Sequence, residues 1–260
     1  MSARLRILIL ILFAGCLTAR GQDFRTGVPT ADGGFLVAGE YLAWLDAEGN
    51  VLRKRPLDQP FMSMATSEEC LYAIDTDGRE LLTLNADGTV VSRETLPVQG
   101  RLRALAADGG ILWAVTDAGE ILHGAGSGWT VLDFNVQYDG YYPSMDFRAV
   151  AAGGGSVVVA GVRPDGTPAA FTSSRGTVWS ERILDYSDNI FTAVPMDLSY
   201  DPAQDRFYLL GDGGSQLALP GCSHCNTLTH YPVDTLLARI PGCAGTLLLG
   251  SDGFLRVENR

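Results

Sequence analysis

The residues best equipped for chemistry lie in PGCSHCNTLTHYP, residues 220–232, where Cys222-x-x-Cys225 is accompanied by His224 and His230. Four chemistries use such a set. Haem attachment requires a histidine directly after the second cysteine, and Asn226 stands there instead. A dithiol redox centre requires the pair at a helix start, where the helix dipole lowers a thiol pKa, and the surrounding residues read as a β-hairpin. Zinc would use Cys222, Cys225, His230 and the more distant Cys243, with C-x-x-C spacing that suits a tetrahedral site. The fourth reading is a structural disulfide, and the compartment in which the chain folds decides between the last two.

The chain opens MSARLRILILILFAGCLTARGQ. Arg4 and Arg6 flank the start of an apolar run from Leu5 to Ala14 that is too short for a permanent transmembrane helix and has the form of a secretory leader. Two cleavage sites compete. Ala19-Arg20-Gly21 offers small residues before Gln22, giving a leader over 1–21 and a mature domain over 22–260. Phe13-Ala14-Gly15-Cys16 has the form of a lipoprotein signal, with Cys16 as the lipidated residue. Both place the domain outside the cytoplasm, secreted, periplasmic or on the cell surface, touching a membrane only through a lipid on Cys16. Thiols pair in such oxidising compartments, so a disulfide is expected over zinc, and neither a metal nor a cofactor is expected.

Removing residues 1–21 takes away three arginines and no acid, so the formal charge moves from −11 to −14. A surface this acidic is poorly matched to nucleic acid, whose phosphates demand clustered Lys and Arg.

The elements that must position any site are strands. CLYAIDTDGRELLTLNADGTVVSRETL (70–96) and ILWAVTDAGEILHGAGSGWTVLDF (111–134) share one pattern of apolar strand, turn, strand and turn, and related segments begin at Phe35, Val157, Phe207 and Leu247. Asp77-Gly78, Asp87-Gly88, Asp165-Gly166 and Asp252-Gly253 are tight-turn dipeptides, because Gly tolerates positive φ. Corresponding strands recur at spacings of 36 to 50 residues, and MSMATS, LRALAA, FRAVAA and MDLSYD supply a preceding strand to four of the units. No window has a helical period. A four-strand repeat of about forty residues marks a β-propeller. The expectation is an all-β, single-domain propeller of six four-stranded blades, with five or seven as alternatives and a short last blade. An N-terminal strand would complete that blade.

TSSRGTVW (172–179) resembles the S-x-D-x-G-x-T-W turn of BNR-repeat, or Asp-box, propellers, with Gly176 and Trp179 matching and Thr172, Ser174 and Val178 replacing Ser, Asp and Thr. GAGSGWTVL (124–132) is a weaker copy. That group includes sialidases and the Ycf48-like photosystem assembly factors. The resemblance implies the fold. A sialidase-like activity would further imply arginines on the innermost strands that clamp a carboxylate, and Arg25, Arg103 and Arg148 recur at equivalent places in blades one, three and four. The competing role for them is salt-pairing with acids such as Asp23 or Asp146 around a wet channel. The loops are short for a catalytic propeller, no Gly-x-Ser-x-Gly elbow or phosphate-binding loop is present, and no catalytic residue is assigned.

Two longer connections share one face of such a ring. NVQYDGYYPSMD (135–146) and DYSDNIFTAVPMD (185–197) carry Tyr138, Tyr141, Tyr142, Asp146, Tyr186, Asp188 and Phe191, a set suited to a protein or glycan partner. The alternative is that these aromatics cover a blade junction. The expected function is a monomeric binding or scaffold module, with a small sialidase-like glycan hydrolase or lyase as the second reading. The blade map also puts the 220–226 hairpin and the Cys243 hairpin on one face of neighbouring blades, so Cys243 is expected to bridge to Cys222 or Cys225. A local Cys222–Cys225 bridge competes. Cys70 is left as a thiol, partly buried at a strand start.

Overall fold

A computed structural model of the protein describes residues 24–67, 70–125, 128–186, 189–219, 227–253 and 255–259, with backbone alone over 185–190. Six antiparallel meanders follow one another around a ring. The first blade is β1 (Thr26–Pro29), β2 (Phe35–Ala38), β3 (Tyr41–Leu45) and β4 (Val51–Pro56). The second is β5 (Phe61–Ser67), β6 (Cys70–Asp75), β7 (Glu80–Leu84) and β8 (Val90–Thr95). The third is β9 (Leu102–Asp108), β10 (Ile111–Thr116), β11 (Glu120–Gly124) and β12 (Trp129–Asp133), followed by a one-turn helix α1 (Phe134–Gln137). The fourth is β13 (Asp146–Gly153), β14 (Ser156–Val162), β15 (Pro168–Ser173) and β16 (Ser180–Arg182), followed by the two-stranded ribbon β17 (Asp185–Tyr186) and β18 (Asn189–Ile190). The fifth is β19 (Pro195–Asp201), β20 (Arg206–Gly211), β21 (Ser215–Leu219) and β22 (Thr227–His230). The sixth shows β23 (Leu236–Pro241), β24 (Gly245–Gly250) and β25 (Leu255–Asn259) among the described residues. The six-bladed propeller is therefore the fold, and the strand starts agree with the sequence pattern. Helix α1 is the addition: Asp133 accepts a hydrogen bond from the Val136 N–H and caps a turn too short to leave a period.

The Asp-Gly turns work as their chemistry requires. Gly78, Gly88 and Gly166 take φ of 65°, 80° and 85°, which a Cβ would strain. Asp75 and Asp87 each fold back onto backbone N–H groups of the same turn.

Apolar residues alternate along each strand, so each blade has two greasy faces and buries them between neighbours. Among the described residues, hydrophobic clusters fill five of the six junctions. Leu36, Leu42, Met64 and Leu82 join blades one and two, and Ile74, Leu81, Leu112 and Leu122 join two and three. Trp113, Phe134, Phe147, Phe171 and Trp179 join three and four. Leu198, Leu209 and Leu217 pack on Val158 and Ala160 between four and five, and Phe35 and Val37 pack on Ile240 and Leu247 to close blade one on blade six.

The junction between blades five and six adds a buried ion pair to apolar side chains such as Leu210 and Leu248. Arg239 of β23 donates to Asp201 of β19 at 3.1 Å, with side chains only 3% and 0% exposed. The same guanidinium reaches Ser199 at 3.5 Å and Thr246 at 3.4 Å and lies 3.6 Å from the ring centre of Tyr208. Removing one partner of such a pair strands the other charge in a dry environment. Arg239→Ala is therefore expected to cost about 3–5 kcal/mol and lower the melting temperature by roughly 10 °C. Thermal and urea melts of the variant test this, and a shift below about 1 kcal/mol would mean that Asp201 is not held by this pair.

Candidate functional site at the channel mouth

The innermost strands carry a recurrent irregularity that builds the site. In five blades the pairing of the first two strands slips by one residue near its start: between Phe61 and Ser63, Leu102 and Ala104, Phe147 and Ala149, Pro195 and Asp197, and Leu236 and Ala238. The skipped residues are Met62, Arg103, Arg148, Met196 and Leu237. A bulge leaves one residue outside the ladder and re-aims its side chain. In blade one the Arg25 N–H bonds the Ala38 carbonyl at 2.8 Å just ahead of β1. These six residues all line one cavity of about 600 Å³ at the channel mouth. Cations come from blades one, three and four, and apolar side chains from blades two, five and six. Around the ring the rim therefore runs Arg, Met, Arg, Arg, Met, Leu, with Met62 set between Arg25 and Arg103.

One residue deeper, side chains tie each inner strand to the next. Thr26 Oγ1 accepts from the Met64 N–H at 3.0 Å, Ser63 Oγ accepts from the Leu105 N–H at 3.0 Å, and Asp197 Oδ2 accepts from the Arg239 N–H at 3.1 Å. Thr26, Ser63, Ala104 and Asp197 are cavity-lining residues at this level. Asp197 is the one acid among them. Burial pushes its carboxyl up to about 7, against the opposing pull of the Arg239 and Leu198 backbone N–H groups and the Arg239 charge. Sequence reading passed over Asp197 inside MDLSYD. Aligning the inner strands around their bulges would have found it, as an acid where blades one to three have Thr, Ser and Ala.

The three arginines converge on the cavity and two are also salt-paired. Arg103 donates to Asp117 at 2.8 Å and Arg148 donates to Asp146 at 3.0 Å, each pair about one-third exposed. Arg25 makes no ion pair with a described residue, and Asp23 lies outside the described residues. Arg103 Nε and Asp146 Oδ1 are buried atoms without a hydrogen-bond partner, one donor and one acceptor. Below the mouth the channel continues as a narrower space of about 360 Å³ with Tyr200 in its wall. There the Tyr200 hydroxyl donates to Asp205 at 2.7 Å and its pKa is pushed up to about 12, so the phenol stays protonated.

The expected aromatic surface is mostly packing. Phe134, Tyr138 and Tyr142 stack on one another and on the blade three–four core. The Tyr138 hydroxyl accepts the Trp179 N–H at 2.9 Å, which pins α1 to the Asp-box-like turn. Phe191 is 3% exposed and belongs to the blade four–five core. Tyr141 alone of these turns outward, at 83% exposure, beside Val136 at 72%. The reason is local. The Asn135 side chain bonds the Ala118 and Met145 carbonyls and the Met145 N–H, folding the connection inward over an open apolar junction. The Tyr186 side chain and Asp188 lie outside the described residues.

In the 172–179 turn the polar group that holds the backbone is Ser173, whose Oγ accepts from the Gly176 N–H at 2.8 Å; Ser174 was the expected stand-in for the motif's Asp. Trp179 is buried and its Nε1–H donates to the Gly176 carbonyl at 3.2 Å. Cys16, Cys222, His224 and Cys225 lie outside the described residues, and Cys243 sits exposed in the β23–β24 connection. Cys70 is a free thiol that is exposed at the first position of β6, where partial burial was expected.

No protein-family model matches the chain, and no curated protein does. Solved structures match it over most of its length. Virginiamycin B lyase from Staphylococcus aureus aligns with a TM-score of 0.62 at 10% identity, over 92% of this chain and 85% of that one. A chain of a nidogen–laminin complex aligns with a TM-score of 0.62 at 15% identity, over 81% and 82%. Ycf48 from Cyanidioschyzon merolae aligns with a TM-score of 0.56 at 13% identity, over 92% and 85%. What the chain shares with them is the propeller. At these identities the likeness is one of fold alone, and function must be argued from the mouth.

Asp197 makes stability pH-dependent in a definite direction. Its folded pKa of about 7 lies above the ordinary 3.8, so between these values the folded chain keeps a proton that the unfolded chain has lost. The associated stability is complete below about pH 4 and is lost as pH rises through 7, on the order of 4 kcal/mol. Asp197→Asn keeps an oxygen for the Arg239 N–H and is expected to flatten the difference between melts at pH 5 and pH 8. An unchanged pH profile would show that Asp197 titrates normally.

Proposed function

We propose that the chain is an extracytoplasmic binding or scaffold module that recognises a protein or glycan partner through the face bearing the channel mouth. The observation that supports this best is the convergence of Arg25, Arg103 and Arg148, from three separate blades, on one cavity. Guanidinium groups match carboxylates bidentately, and Met62, Met196 and Leu237 on the same rim offer apolar contact to the body of the ligand. The pairing of Arg103 and Arg148 with acids favours a preorganised recognition surface, since the arginines are held in place before any partner arrives. Tyr141 and Val136 extend the face outward. The leader, a lipid on Cys16 as its alternative form, and a Cys243 bridge to Cys222 or Cys225 complete this reading, as does descent from Asp-box propellers.

The second reading is a small glycan hydrolase or lyase of sialidase-like ancestry. Asp197 favours it, being a carboxyl that can carry a proton near neutral pH in a cavity that three arginines also line. A tyrosine nucleophile for it is missing from the described residues lining the mouth.

Immobilised acidic and neutral glycans and acidic peptides provide the test. Acidic ligands are expected to be retained, with Arg25→Ala weakening them at least tenfold and Tyr141→Ala about threefold. Equal retention by Arg25→Ala would overturn the mouth as the site, and release of free sugar by the wild type would replace binding with catalysis. Intact mass of the exported protein checks the rest. A start at Gln22 and one cysteine pair protected from alkylation until reduction are expected, whereas a diacyl or triacyl addition on Cys16 would make it a lipoprotein.

A further inference from the structure

Charge at the mouth is nearly balanced, and one acid decides the sign. Arg25, Arg103 and Arg148 face Asp117 and Asp146, which leaves one net positive charge. Ionised Asp197 would cancel it. Deeper in the wall, Arg239 and Asp201 balance each other. We propose that the mouth is a proton-coupled anion site: one ligand carboxylate enters against the arginines while Asp197 takes up one proton from solvent. This rests on the mouth being the binding site, and adds what the site does to its own charge when filled.

The strand that carries Asp197 offers Asp201 further down, already paired. Across the cavity β1 begins at Arg25 and Thr26, β5 offers Met62 and Ser63, β9 offers Arg103 with its Asp117, and β13 offers Arg148 with its Asp146. Beside it β23 offers Leu237 and Arg239, whose guanidinium is directed into the blade junction toward Asp201. No cation is therefore dedicated to Asp197, and its burial already favours the neutral carboxyl. A second negative charge in the same cavity can enter at little cost only if Asp197 is neutral. By linkage the bound anion must then hold that proton more firmly. A neutral Asp197 also gains an O–H donor that a ligand oxygen can accept.

The probe is methyl β-D-glucuronoside, a sugar that carries one carboxylate, titrated against the mature chain from pH 5.5 to 8.5. Affinity is expected to be level below pH 6 and to fall by up to tenfold per pH unit above 7. Calorimetry at pH 8 in two buffers of different ionisation enthalpy is expected to show close to one proton taken up per ligand. Asp197→Asn should bind at pH 8 as tightly as the wild type at pH 5.5, without proton uptake. The calorimetric count is made on the wild type and stands even if that variant folds poorly. Arg25→Ala should weaken binding at every pH. Binding that depends on Arg25 but carries no proton uptake, or a pH dependence that persists in Asp197→Asn, would overturn the coupling and leave the mouth as the site. Absence of glucuronoside binding, or binding indifferent to Arg25→Ala, would overturn both.

Discussion

A four-stranded blade has two apolar faces and can bury neither alone, so every blade depends on both neighbours and the ring stands only when closed. Five junctions meet this constraint by interlocking Leu, Val, Ile and aromatic side chains. The sixth, between blades five and six, adds the buried pair of Arg239 and Asp201 to side chains such as Leu210 and Leu248. A buried ion pair contributes less net stability than apolar packing of the same volume, because two desolvation costs offset the attraction. It does, however, demand a unique geometry. Blade six can dock on blade five only where Arg239 finds Asp201, Ser199, Thr246 and the face of Tyr208 together.

The same inner strands that carry the junctions also create the mouth, and the two tasks conflict. A regular ladder would turn every alternate side chain into a blade interface, leaving the channel lined by backbone edges. The bulges resolve this by releasing one residue in each of five blades from the alternation. Together with Arg25, which stands just ahead of β1, the residues so placed read Arg, Met, Arg, Arg, Met and Leu around the ring. The scaffold repeats while its rim does not, which is how a symmetric fold comes to bear an asymmetric site. The belt of side-chain-to-backbone bonds just below fixes the heights of neighbouring strands relative to one another.

Much of the fold was legible because its signals are local. Strand length, Asp-Gly turns and a forty-residue recurrence each need only a few adjacent residues to be read. Arg25, Arg103 and Arg148 were legible as a group for the same reason, since they recur ahead of equivalent strands. The pairing of Arg148 with Asp146, two residues away, was legible as well, but Asp117 reaches Arg103 from another connection and Asp197 draws its altered proton affinity from burial, a property of the closed ring. The aromatic loops show the opposite limit. Tyr138 and Phe191 have the composition of a contact surface, yet an open apolar junction lay beneath each and drew it in. Exposed and covering aromatics look alike in sequence, and only the space under them decides.

An anion-binding role sits oddly with a chain of formal net charge −11, unless the mouth is shielded from that exterior. At physiological salt a surface charge is screened within about 8 Å, so the acidic exterior repels an anion mainly as it approaches and hardly at all once it is inside. The arginines gain from the recess, where fewer waters compete for them. Such a site discriminates by depth: a carboxylate on a slender projection can reach the rim, while a broad acidic surface is held off by the exterior it must cross. Within the recess the remaining repulsion comes from Asp197, which forms no side-chain ion pair among the described residues, and protonation removes it. The exterior therefore selects for the shape of the partner and the interior for its charge, and one carboxyl group tunes the second without altering the first.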